Sequence, residues 1–198
     1  MMKHLLTCIV LGFAATGSAV TPLWLRDVQI SPSGEEIAFC YKGDIYKVPV
    51  GGGEARQLTT TPSYESTPIW SPDGKMIAFA SNRNGNFDLY VMPAEGGTAK
   101  RLTYNSANEI LSAFTPDGKE VLFSASLQDP ASSALFPSGA MTELYAVPAA
   151  GGRVRQVLGT PAEMVNFDKS GKRFLYQDRK GTEDEWRKHH TSSVTRDI

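Results

Sequence analysis

Apolar residues along this chain fall in short bursts, each entered through the same kind of polar signal. Ile37-Ala38-Phe39, Met76-Ile77-Ala78-Phe79-Ala80, Val121-Leu122-Phe123 and Phe174-Leu175-Tyr176 are the bursts. They follow Ser31-Pro32-Ser33-Gly34, Ser71-Pro72-Asp73-Gly74, Thr115-Pro116-Asp117-Gly118 and Asp168-Lys169-Ser170-Gly171. In these signals proline is pre-set for a turn, the acid can bond its own backbone, and glycine is free to take positive φ. The bursts are apolar on both faces rather than cleanly alternating, which predicts strands covered from both sides. In the second copy, Ser66–Trp70 reads as a first strand, Met76–Ala80 as a second and Asp88–Met92 as a third, stopped by Pro93. Gly96-Gly97 then turns the chain into a fourth strand, Ala99–Thr103.

The copies begin at Ser31, Ser71, Thr115 and Asp168, which are 40, 44 and 53 residues apart. Two further landmarks keep step. Asp44-Ile45-Tyr46, Asp88-Leu89-Tyr90 and Glu143-Leu144-Tyr145 share one position, followed by Gly52-Gly53, Gly96-Gly97 and Gly151-Gly152. A period of this size built from four short strands is the signature of a β-propeller. Trp70, Phe114 and Phe167, each just before its turn, read as wedges between blades. The expected fold class is all-β, a partial β-propeller of three four-stranded blades plus the first half of a fourth. Asp197-Ile198 falls where Asp44-Ile45 and Asp88-Leu89 fall, so the chain reads as truncated, with an aromatic residue expected next.

The copies differ mainly in one loop. From turn glycine to third-strand acid the distances are 10, 14, 25 and 26 residues. Both long insertions lie between second and third strands, hence on one face of the disc, which is often the binding face of such repeats. The insertion of the third copy carries Leu135 and Phe136, and the charged insertion of the fourth carries Trp186. These three are the candidate protein-contact residues.

Lys3 and His4, the apolar run Leu5–Phe13 and the small residues Gly17-Ser18-Ala19 read as an export signal over residues 1–19. Residues 20–198 then form the incomplete propeller domain, a stretch of 179 residues exported to a periplasm or outside the cell. The apolar run is too short to span a bilayer, and no later stretch is apolar enough. Beyond the signal only Cys40 remains, so no disulfide within the chain staples the fold. It reads as a small core residue. With 20 basic against 21 acidic residues the net charge is −1, which gives no basic face for nucleic acid.

No active site is legible. Asp178, His189, His190, Ser192 and Ser193 crowd one polar loop without a nucleophile elbow or a glycine-built oxyanion loop. His189 and His190 are adjacent, so on a strand they point to opposite faces, and no spaced set of ligands completes a metal shell. No phosphate-cradling glycine loop occurs. The expectation is no catalytic residue, no metal and no cofactor.

The unit Trp70–Thr103 resembles the propeller repeat shared by tricorn proteases, Tol-system propeller proteins and prolyl-oligopeptidase relatives. More specific are Gln128–Ser138, Thr160–Glu163, Phe174–Asp178 and Glu185–Ile198, with "TPLWLR" and "YKGDIYKVP" near the start. Across nearly all of residues 20–198 the chain resembles the N-terminal propeller of exported tricorn protease homologues. The resemblance implies an accessory role in substrate access, gating or assembly, with peptide hydrolysis carried by C-terminal domains. It also implies peptides or proteins and the other domains of the parent chain as partners, in a homo-oligomeric parent. The alternatives are a non-enzymatic exported scaffold similar to the Tol-system propeller, and the cap of a prolyl-oligopeptidase-like enzyme. Ser33 stands where the turn usually has aspartate, and the fourth copy lacks the proline.

Overall fold

The computed structural model describes residues 24–127, 142–168, 170–179 and 196–197. Blade 1 consists of β1 (Arg26–Ile30), β2 (Glu36–Tyr41), β3 (Asp44–Pro49) and β4 (Arg56–Gln57). Blade 2 consists of β5 (Glu65–Trp70), β6 (Met76–Ser81), β7 (Asp88–Pro93) and β8 (Lys100–Arg101). Blade 3 takes β9 (Glu109–Phe114), β10 (Glu120–Ala125), β11 (Glu143–Pro148) and the first part of β12 (Arg155–Phe167). The second part of β12 opens blade 4, followed by β13 (Phe174–Arg179) and β14 (Arg196–Asp197). All pairings are antiparallel between neighbours in sequence. The arrangement is the expected partial propeller.

Two details depart from the sequence reading. The fourth strands are two-residue ladders rather than five-residue strands, extended by single bonds from Leu58 N–H to Ile45 C=O and from Leu102 N–H to Leu89 C=O, both 2.8 Å. Blades 3 and 4 are joined by one continuous strand. Loops separate β4 from β5 and β8 from β9, but Leu158–Pro161 stays extended through a register shift against β11. The two blades therefore share a six-stranded sheet.

Register confirms the repeat at the last described residues. The third-strand acid stands opposite the tenth residue after each turn start, in the pairs Tyr41↔Asp44, Ser81↔Asp88, Ala125↔Glu143 and Asp178↔Asp197. Turn chemistry repeats as closely. Ser71 Oγ accepts from Met76 N–H at 2.9 Å and donates to Asp73 Oδ1 at 2.6 Å. In the first copy Ser33 replaces the aspartate, its hydroxyl 3.1 Å from that of Ser31. The fourth copy exchanges the partners, with Ser170 Oγ donating to Asp168 Oδ2 at 2.8 Å. Each turn also seats on its predecessor. A methyl on Gly171 would lie 2.9 Å from the Pro116 ring, and Gly171 has φ +68, so only glycine fits there without strain.

The core lies between blades. Each second and third strand presents an aromatic pair on one face: Phe39↔Tyr46, Phe79↔Tyr90 and Phe123↔Tyr145, stacked at 5.8, 5.7 and 5.7 Å between centroids. The other face is smaller. Ala38, Cys40 and Ile45 of blade 1 receive Phe79, Tyr90, Ile77 and Met92 of blade 2. Ala78, Ala80, Leu89 and Val91 receive Phe123, Tyr145, Val121 and Val147. Leu122, Leu144 and Ala146 receive Phe174 and Tyr176 of blade 4. Trp70 and Phe114 are buried in these seams and Phe167 packs on the third, the wedge role expected of them; burial excludes an aromatic cage for Trp70 and Phe114. Cys40 is also core, its thiol pushed up to about 12 by burial first and by Asp27 second.

Phe79 and Phe123 are fully buried at two different seams. Replacing Phe123 by alanine removes one ring of a stack and opens a cavity, at a cost of about 3–5 kcal/mol. Urea unfolding of the Phe123→Ala chain should show that loss, whereas Leu175→Ala, at an exposed position, should change stability little. Equal effects at the two sites would contradict this account of the core.

Candidate functional site: the axial passage

In a propeller, residues not consumed by blade packing lie along the innermost strands, here β1, β5, β9 and the second part of β12. Three of these strands carry a bulge at one repeat position. Register slips between Arg26 and Gln29, Ser66 and Ile69, and Glu163 and Asn166. Asp27, Thr67 and Met164 take φ of 52°, 52° and 53° there. Left-handed backbone is costly for a β-branched residue such as Thr67, and bulges re-aim side chains at functional edges. The first two bulges are tied together, since Asp27 Oδ2 accepts from Thr67 N–H at 3.0 Å. Blade 3 differs: its slip leaves Ser112 unpaired between Leu111 and Ala113, and Ser112 Oγ is buried without a partner.

At the mouth bearing the proline turns, the inner strands line an open cavity of about 430 Å³. Gln29, Ser112 and Asn166 bring polar groups to its wall; Trp70, Phe114 and Phe167 form its apolar rim. Trp70 Nε1–H donates to Gln29 C=O at 3.3 Å, which fixes the indole across the seam between blades 1 and 2. The wall thus combines amide groups with rings, and carries no arrangement of nucleophile and base.

The opposite end, where second and third strands connect, carries buried carboxylates. Glu65, Glu109 and Glu163 begin or nearly begin their inner strands and are all buried. Glu65 Oε1 accepts from Thr61 Oγ1 (2.6 Å), Ser63 Oγ (2.9 Å) and the Arg83 guanidinium (2.6 Å), whose plane lies 4.4 Å from the Tyr90 ring centroid. Glu109 accepts from Thr103 Oγ1 and from Asn105 Nδ2, the latter at 2.7 Å. Thr142 Oγ1 donates to Glu163 at 3.0 Å. Asp88, fully buried, holds Arg101 at 2.7 Å. Sequence reading missed this rim, although its signal was present: Leu-Thr precedes the acid by the same interval in Leu58-Thr59…Glu65 and Leu102-Thr103…Glu109.

Leu135, Phe136 and Trp186 lie outside the described residues, as do His189, His190, Ser192 and Ser193. Among the described residues no group of three or more His, Cys, Asp or Glu is placed to hold a metal ion, and no helix is long and apolar enough to cross a membrane.

Strand order, seam packing and a walled axis define this chain as part of a β-propeller. Comparison places it further. Residues 22–196 match the tricorn protease N-terminal beta propeller domain, and the chain belongs to that family. It is similar to the crystal structure of the tricorn protease, at 25% identity and TM-score 0.65, over 80% of this chain and 15% of that one. It is similar in fold to the putative TolB of Agrobacterium tumefaciens, at 18% identity and TM-score 0.66, over 80% of this chain and 55% of that one. A stretch of 56 residues, 26% of this chain, is 45% identical to the uncharacterized peptidase YuxL of Bacillus subtilis (strain 168), covering 8% of it. The chain thus spans well under two thirds of each of these relatives.

Burial pushes the Glu109 carboxyl from its ordinary 4.5 up to about 7, against the pull of Thr103 and Asn105, and the Asp88 carboxylate adds to the rise. A carboxyl raised in this way binds its proton more tightly folded than unfolded. The stability it lends is complete below its unfolded pKa and is lost as pH climbs through about 7. Glu109→Gln fixes the neutral form. Between about pH 5 and pH 8 the parent chain should lose up to roughly 3 kcal/mol that the variant keeps. Thermal melting of both across that range checks it, and parallel pH profiles would show that Glu109 is not the titrating group.

Proposed function

We propose that this chain is the N-terminal propeller portion of an exported tricorn-like serine peptidase, with residues 1–19 as its export signal and 20–198 as incomplete propeller. Its work is substrate access, gating or assembly, and hydrolysis belongs to domains C-terminal to it. The observation that carries this reading is a walled axial cavity, lined from four blades, in a chain whose family is the tricorn protease N-terminal propeller. Gln29 and Asn166 offer amide groups of the kind a peptide backbone meets, and Trp70, Phe114 and Phe167 add apolar surface beside them. The match to a peptidase of Bacillus subtilis supports the same direction.

The second reading is a non-enzymatic exported scaffold that binds proteins. It is favoured by the TM-score of 0.66 to the putative TolB, level with that to the tricorn protease. Under either reading the partners are peptides or proteins, the compartment is periplasmic or extracellular, and the parent assembles with copies of itself.

Sequencing the coding region past Ile198 and assaying the extended product for peptide hydrolysis separates the two. The peptidase reading expects an aromatic residue opposite Tyr176, further repeats, a peptidase domain and activity that the 198-residue chain lacks. Repeats followed by a stop, with no hydrolysis, would leave the scaffold.

A further inference from the structure

The link between second and third strands is shortest in blade 1, where Tyr41 pairs directly with Asp44 across Lys42 and Gly43. Both intervening residues are left-handed, with φ 52° and 91°, as a tight two-residue hairpin requires. In blade 2 the same link runs from Asn82 to Phe87. Beside the short turn lies a second cavity, of about 490 Å³, lined by Trp24, Arg26, Tyr41, Lys42, Gly43 and Tyr64. It is separate from the axial one.

Its walls are held in place. Tyr64 N–H donates to Asn82 Oδ1 at 2.8 Å, and its carbonyl accepts from Asn82 N–H at 3.2 Å. The Tyr64 ring meets Phe87 edge-on at 6.3 Å, so blade 2 fixes an aromatic wall for a cavity of blade 1. A methyl on Gly43 would come within 3.4 Å of that ring, so glycine leaves the floor open.

Two cations of the wall lie beside aromatic rings. Arg26 lies 5.9 Å from the Trp24 ring centroid and Lys42 lies 5.3 Å from that of Tyr41. Among the described residues neither cation has a carboxylate partner, whereas Lys47, Arg56, Arg83, Arg101 and Arg155 each hold one. The acids next to them in sequence are engaged elsewhere. Asp27 takes Thr67 N–H at 3.0 Å, and Asp44 takes Gln57 at 3.0 Å and Thr59 at 3.2 Å. Among the described residues no carboxylate lines the cavity.

From these contacts we infer that the cavity is a binding site for an organic carboxylate borne on an aromatic or flat apolar body. The carboxylate sits between Arg26 and Lys42, and the body lies among Trp24, Tyr41 and Tyr64. Both cations are exposed and free to make charge-assisted hydrogen bonds with an incoming carboxylate. The inference does not rest on the peptidase reading.

The test is isothermal titration of the full chain with N-acetylphenylalanine, 3-phenylpropionate and N-acetylphenylalaninamide. Both acids should bind, and the amide about tenfold or more weaker, the loss expected when a charge-assisted contact is removed. Preference for the acetylated amino acid would assign the source to a peptide terminus, and equal binding to small aromatic acids generally; either supports the site. The Arg26→Gln/Lys42→Gln double variant should lose acid binding by a similar factor with unchanged melting temperature, and Tyr64→Ala should weaken all three probes. Amide binding equal to acid binding, an unaffected double variant, or no binding of either acid would overturn the inference.

Discussion

One contact, repeated from seam to seam, organises this molecule: the stacked Phe–Tyr face of each blade set against the small-residue face of the blade before it. Phe79 and Tyr90 enter a surface made by Ala38, Cys40 and Ile45; Phe123 and Tyr145 enter one made by Ala78, Ala80, Leu89 and Val91. Strands of six residues alternate faces, so one register step would exchange large for small side chains on every seam at once. That penalty is what holds the aromatic pairs in identical register in three blades. Lys47 shows the tolerance of the scheme. It stands on the small-residue face beside Ala38 and is held by Glu36 at 2.9 Å and by Glu95 of the next blade at 2.7 Å, so the charge is neutralised where it is buried.

Packing of this kind consumes both faces of every sheet and leaves only edges for other work. The inner edge carries bulges whose left-handed residues would be poor choices in a plain strand. Asp27 and Thr67 recur at one repeat position and bond to each other, so the strain is a shared feature of adjacent blades rather than an accident of one. The loop end solves a different problem. Inner strands begin there with carboxylates that burial would expel, and each is retained by hydroxyl, amide or guanidinium donors: Thr61, Ser63, Thr103 and Asn105 from the segments leading into the strands, Arg83 and Thr142 from links between second and third strands. One end of the passage is therefore built of buried carboxyl groups, each holding at least one donor. The other is open and lined by amides and rings.

Most of the fold was legible because its determinants are local. The Ser71-Pro72-Asp73-Gly74 turn, the acid of Asp88-Leu89-Tyr90 and the Gly96-Gly97 pair each follow from short-range chemistry, and their spacing gave blade and strand order. The fourth copy was readable despite its changed turn, because Asp168 and Ser170 exchange roles without changing the hydrogen bond. The continuous strand through Leu158–Pro161 was not legible, since Thr160-Pro161 looks like a loop until the bulge against β11 is seen. The rim carboxylates escaped for a related reason. Glu65 and Glu109 look like solvated polar residues unless the Leu-Thr that precedes them is known to fold back and enclose them. The cavity beside Gly43 depends on Tyr64 and Asn82, which come from the next blade, and no local pattern brings them there.

The similarity to both tricorn and TolB propellers follows from the same physics and shows why fold alone decides little here. Blade seams fix how successive sheets stack. Within this chain the copies differ most in the length of the links between second and third strands. In blade 1 the link is a two-residue turn that leaves a cavity with two unneutralised cations; in blade 2 it is longer and supplies Asn82, Arg83 and Phe87, which hold Tyr64 and Glu65. The loop of one blade thus completes the site of its neighbour. Chemical individuality in this chain resides in pairs of adjacent blades, and a substitution in one link is expected to be felt in the blade before it.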